Sequence, residues 1–259
     1  MNELHELHNM NNIYHQFKTG DILLFDSYSD NSNRTENMTE NRNGNMTENR
    51  NGNGNGNGNS WLWNLFSNLI KWSTDSSYTH IAMILKDPVF IHPSLKGLFV
   101  WESGWENGIP DPQDNKIKLG VQITPLHEII YQYKNISHGK CYYRSIFFDD
   151  GSGNFDYDTY NSYFSVSNLT KIHEMIYNKP YDLYPSDWIH AYFRKDDNPQ
   201  KTSRFWCSAL IGYIYHLLHI VESDMDWSIL RPSDFSYSYD NQFLYFLPNI
   251  RFHTKEIEF

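Results

Sequence analysis

From Ser208 to Val221 the chain reads Ser-Ala-Leu-Ile-Gly-Tyr-Ile-Tyr-His-Leu-Leu-His-Ile-Val, which is apolar nearly all the way round a helical projection. A helix without a polar face has to be enclosed on all sides. The remaining sequence must supply that enclosure, and 259 residues with 39% hydrophobic content are enough to do so in one domain with a core spanning about residues 18–252.

The enclosing material is strand-like. A turn at Thr19-Gly20 opens the short apolar run Asp21-Ile-Leu-Leu-Phe25. Tyr78 to Leu85, Leu98 to Glu102 and Cys141 to Phe147 are further runs of strand length bounded by Pro, Gly and Asp. Helical spacing of apolar residues recurs over Trp61–Trp72 and over residues 167–178. Strands gathered early, with helices laid against them, predict an α+β domain rather than repeating βαβ units.

Residues 31–59 stand apart. They are biased to Asn, Gly, Thr and Glu, and the octapeptide MTENRNGN occurs at 38–45 and again at 46–53. Such a segment has nothing with which to build a core, so it reads as a disordered insert within the domain. Its glycines fall at phosphate-loop spacing, but the repeat accounts for them and no strand leads into them. Long surface insertions cost little, because loop-closure entropy grows with the logarithm of length.

Charge and cysteine usage exclude several functions. A formal net charge of -10 repels phosphate backbones, which argues against a nucleic-acid partner. No stretch reaches the roughly 18 apolar residues of a transmembrane helix, and the first twenty residues lack the apolar run of a signal peptide. The expected compartment is intracellular and cytoplasmic, where thiols remain reduced. The two cysteines, Cys141 and Cys207, lack the paired spacing of a zinc site, and no histidine pair forms HExxH. Neither a metal nor another cofactor is therefore expected.

Cys207 immediately precedes the apolar helix. A thiol in the first helical turn sits at the positive end of the helix dipole, which favours the nucleophilic thiolate. A buried free cysteine is also a common inert core residue, and that reading stays open on these grounds alone. Cys141 lies inside a strand beside Tyr142 and Tyr143 and reads as packing. A nucleophilic cysteine needs a base within hydrogen-bond reach, and there are 12 histidines to consider. His216 would stand about 180° round the helix and roughly 13 Å up its axis from Cys207, with His219 farther still. His5, His8 and His15 belong to a polar N-terminal stretch. His80 lies near the start of an apolar strand and shares a face with Ala82 and Ile84 by period two. Glu102 ends the next strand on the face of Leu98 and Val100, where a carboxylate is costly unless something pairs with it. An imidazole held by that carboxylate would complete a relay of cysteine, histidine and acid.

Several segments follow one another in a telling order: Gly20-Asp21, Thr79-His80, Val100-Trp-Glu102, Gly120-Val-Gln-Ile-Thr-Pro-Leu126, Lys179-Pro-Tyr-Asp182, Trp206-Cys207-Ser208 and Arg231-Pro-Ser-Asp234. In this order the chain resembles the circularly permuted papain-like, NlpC-like cysteine hydrolases of the YiiX-like group, over about residues 18–236 apart from the insert. The resemblance implies an antiparallel sheet packed on a buried helix that bears the nucleophile. It also implies Cys207 as nucleophile, His80 as base, Glu102 as orienting acid and Tyr181 as an aid to the oxyanion. Tyr181 reads equally well as a tyrosine packed under a loop. In ordinary papain-like enzymes the cysteine helix comes first; here the histidine strand does, as in the permuted group. Two departures are visible. The group's Glu-Leu after Cys-Ser is Ala209-Leu210, and the segment from Leu183 to Phe205 is long and charged.

The implied chemistry is hydrolysis of a small peptide or amide substrate. Acyl-lipid chemistry of the lecithin:retinol acyltransferase type is the alternative, with Trp61, Trp63 and Trp72 as candidates to face an acyl chain. A non-catalytic binding module on the same fold is a third possibility.

Overall fold

The computed structural model describes residues 15–26, 78–104, 108–183 and 201–258. The expected insert at 31–59, the expected helix at 61–72 with its three tryptophans, and His5 and His8 all lie outside the described residues.

In chain order the elements are β1 (Ile22–Asp26), β2 (Tyr78–Lys86), β3 (Leu98–Gly104), β4 (Gly120–Pro125), α1 (Leu126–Tyr131), a π-helical turn (Gln132–Ile136), β5 (Lys140–Arg144) and β6 (Ile146–Phe148). Then follow α2 (Tyr157–Tyr163), α3 (Val166–Ile176), α4 (Cys207–Leu217), three short 3₁₀ turns between Trp227 and Tyr239, β7 (Ile250–Phe252) and β8 (Ile257–Glu258). Six strands form one antiparallel sheet in the order β4-β3-β2-β1-β5-β8, and β6 pairs with β7 in a second, two-stranded sheet. The domain is α+β.

The central strands have no polar face because both sides of the sheet are covered. Ile22, Leu24, Ile81, Met83 and Trp101 pack with Leu210, Ile211 and Ile214 of α4 on one side. Leu23, Phe25, Ala82, Ile84 and Val100 pack with Leu126, Ile129 and Ile130 of α1 on the other. Each fully buried Leu, Ile, Val, Phe or Met among them contributes ~1.5–3 kcal/mol. The continuous apolar runs of β1 and β2 follow from this double coverage.

Helix α4 is enclosed as its sequence demands, with every residue from Cys207 to Tyr215 buried. It ends sooner than Val221. His219 takes a left-handed φ of 54°, and Val221 leaves the helix direction to bridge Phe246.

The run Cys141–Phe147 is not one strand. It breaks at Ser145, so that β5 stays in the main sheet and β6 joins β7. The cause is Asp21, fully buried just before β1. Its Oδ1 accepts the Ile146 N–H at 2.9 Å, and its Oδ2 accepts the Tyr143 hydroxyl at 2.7 Å and the Lys18 N–H at 2.8 Å. Burial pushes the Asp21 carboxyl up to about 6, although Lys18 and these donors pull it down.

Gly120 fixes how β4 begins. Its φ is +138°, and a Cβ there would stand 2.3 Å from the Lys179 carbonyl oxygen. Only glycine lets the 179–182 segment lie this close to the sheet, where Val121 N–H donates to Lys179 O at 2.8 Å.

Candidate active site

β2 and β3 pair from Lys86/Leu98 to Met83/Trp101 and no further. Past that point Glu102, Ser103 and Gly104 pair only with β4, while His80 pairs with Phe25 of β1. The two strands therefore fork, and the gap between them receives the N-terminus of α4. Ser103 Oγ donates to Phe205 O at 2.6 Å, tying the backbone just ahead of Cys207 to the β3 side of the fork. The 179–182 segment, itself held against the start of β4, grips the same residue: Phe205 N–H donates to Pro180 O at 3.1 Å and Asp182 N–H to Phe205 O at 3.1 Å.

His80, Glu102 and Cys207 meet in this fork, and all three are buried, at 7%, 1% and 2% exposure. His80 Nε2 lies 2.7 Å from Glu102 Oε2. A carboxylate oxygen only accepts, so Nε2 carries the proton in that contact and Nδ1 is the nitrogen left for another partner. The Cys207 thiol stands near enough to the imidazole to act on its charge. Burial works against a charged imidazole here, but the interactions with Cys207 and Glu102 and their negative charges outweigh it, so the His80 pKa is raised.

Aromatic rings hold the imidazole in place. Tyr133 stacks parallel to it, with centroids 6.1 Å apart and planes 6° apart, and Phe25 lies tilted at 5.4 Å. Tyr133 and Phe25 themselves pack at 4.3 Å. Tyr133 sits in the π-helical turn closed by the Ser137 N–H donating to Gln132 O at 3.0 Å, a local widening common at functional sites.

Cys207 opens α4 behind Trp206, which has extended backbone and offers no side-chain cap to the first helical turn. The N-terminal N–H groups of this eleven-residue helix thus stand beside the sulfur with the positive end of the helix dipole. Ser208 Oγ donates to Leu230 O at 2.7 Å and Trp206 Nε1 to the same oxygen at 3.3 Å, fixing the helix start against the 227–230 turn. Tyr181 is buried and bridges Phe205 in parallel. Burial pushes its hydroxyl well above the ordinary tyrosine range, and the charge at Cys207 adds to the rise.

The fork thus gathers Cys207, His80 and Glu102, with Tyr181 close to the cysteine. Cys141 lies on the far side of Phe25 from His80 in the sheet register, and burial pushes its thiol up to about 12. Among the described residues no group of three or more His, Cys, Asp or Glu side chains is arranged to hold a metal ion. No helix among them is long and apolar enough to cross a membrane.

Reasoning from sequence missed three participants. Gln122 and Thr124 of β4 donate to the second oxygen of Glu102, and Tyr133 covers His80. Gln122 and Thr124 alternate on one strand face, a period-two signal that was legible; Tyr133 left none.

No protein-family model matches the chain, and no curated protein matches it either.

Proposed function

We propose that this chain is a cysteine hydrolase of the circularly permuted papain-like type, cleaving an amide bond through Cys207, His80 and Glu102. The observation that carries the reading is the buried contact of His80 Nε2 with Glu102 Oε2 at 2.7 Å, beside the buried Cys207 that opens α4.

In the resting site the proton is shared between thiol and imidazole, and the Glu102 carboxylate favours the imidazolium. The thiolate attacks the substrate carbonyl carbon. The developing oxyanion is received by the backbone N–H of Cys207, with the Tyr181 hydroxyl as a second donor. Collapse of the tetrahedral intermediate breaks the C–N bond, and the imidazolium gives its proton to the departing amine. The acyl group is left as a thioester on Cys207. His80, now neutral, takes a proton from water as the water attacks the thioester, and the acid product leaves with the thiolate restored.

The test is alkylation of Cys207 by iodoacetate across pH. The reagent is an anion, so its reaction depends on both the thiolate and the neighbouring imidazolium and follows a bell-shaped profile. The bell is expected for the wild-type chain and is lost in His80→Ala. A rate at Cys207 indifferent to His80 would overturn the reading. Turnover of peptide amides, with acyl esters as the comparison, assigns the bond cleaved.

A further inference from the structure

The Glu102 carboxylate has two oxygens and only one of them touches His80. The other, Oε1, accepts from Thr124 Oγ1 at 2.5 Å and from Gln122 Nε2 at 3.3 Å. Both donors stand on β4, where Gln122 is directly opposite Glu102 and Thr124 is opposite Val100. All three side chains are buried, Thr124 completely.

The arrangement answers a problem created by the fork. Once β2 has parted from β3, the strand that carries His80 no longer holds Glu102 in register, and the last torsion of a glutamate is broad and nearly free. Something else must fix the plane of the carboxylate. The threonine hydroxyl suits the task because a β-branched side chain is stiff at its first torsion. Gly104 closes the opposite side, since even a Cβ there would come within 3.1 Å of Oε2.

We propose that Thr124, assisted by Gln122, is a positioning residue that holds the Glu102 carboxylate in the orientation in which Oε2 meets His80 Nε2. This rests on the reading of Cys207, His80 and Glu102 as one relay. A donor to Oε1 favours the charged carboxylate, and the charged carboxylate favours the protonated imidazole, so the effect of Thr124 reaches His80 without contact between them.

A threonine that merely filled space and satisfied its own hydroxyl would cost stability when replaced and leave the titration of His80 unmoved. The experiment is therefore the iodoacetate profile at Cys207 in the full chain for Thr124→Val, which keeps the shape and removes the donor, and for Thr124→Ser, which keeps the donor. In Thr124→Val the alkaline limb moves down by about one pH unit, and the rate at pH values on the former alkaline limb falls roughly tenfold. In Thr124→Ser both return close to wild type. Should Thr124→Val not fold, Gln122→Met removes the other donor from the same oxygen and shifts the limb in the same direction by a smaller amount. An alkaline limb unchanged in a folded variant, beside a profile that still collapses in His80→Ala, overturns the role of Thr124 and leaves the relay standing. A wild-type profile indifferent to His80 overturns both.

Discussion

His80 and Glu102 do not face one another in the sheet ladder, yet their side chains meet with Nε2 2.7 Å from Oε2. The contact spans the place where β2 and β3 have stopped pairing. A regular ladder would have filled that space with backbone hydrogen bonds; the fork leaves room for the start of α4, and so for the sulfur of Cys207.

Replacing Glu102 with Gln tests what the carboxylate charge does. Glutamine retains an acceptor for Nε2–H but not the charge that helps raise the His80 pKa. A hydrogen bond to a charged group is worth ~1.5–3 kcal/mol, so the rate of iodoacetate reaction at Cys207 is expected to fall roughly 10–100-fold at pH values on the wild-type alkaline limb. The alkaline limb moves to lower pH, because the imidazolium gives up its proton more readily without the anion. The measurement is the pH profile of labelling, and an unmoved limb would show that Glu102 exerts no electrostatic hold on His80.

Tyr133 gives a prediction that separates packing from chemistry. Its ring is stacked on His80 and packed against Phe25, so Tyr133→Ala opens a large cavity beside the imidazole. The expected loss is about 3–5 kcal/mol of unfolding free energy, read by urea denaturation. Tyr133→Phe keeps the stacked ring and is expected to retain the wild-type labelling profile. A phenylalanine variant with altered labelling would mean that the hydroxyl, rather than the ring, acts on the site.

Asp21 makes stability depend on pH in a stated direction. Burial raises its folded-state pKa from 3.8 to about 6, so between those values the folded chain holds a proton that the unfolded chain has lost. Unfolding free energy attributable to this residue therefore falls as pH rises from about 4 to about 6 and is level above, by about 3 kcal/mol in all. Asp114, Asp149, Asp150 and Asp156 are shifted downward and work in the opposite sense, so the comparison must be differential. Asp21→Asn cannot titrate, and its stability relative to wild type is expected to improve by that amount between pH 4 and pH 7. A constant difference across the range would place the Asp21 pKa at its ordinary value.

Much of the scaffold was written locally. The runs at Ile22, Tyr78 and Leu98 became β1, β2 and β3, and the apolar stretch after Cys207 became the enclosed helix α4. What failed locally was the continuous strand from Cys141 to Phe147. It is broken by a carboxylate 125 residues earlier, whose capture of the Ile146 N–H no window of nearby residues could display. Gln122 and Thr124 were visible as a polar alternation, but their partner oxygen belongs to another strand. Tyr133 meets His80 from within a π-helical turn, where the apolar periodicity of an α-helix does not apply.

The amino-acid order by itself thus determined which segments are extended or helical, which faces are apolar, and that a thiol, an imidazole and a carboxylate each stand near the end of such a segment. Only the tertiary structure decided that these ends share one fork, and that β4 supplies the donors for the carboxylate. The physical reason is that periodicity encodes the burial of a face, a local property, whereas strand pairing and its interruption depend on hydrogen bonds between residues far apart along the chain.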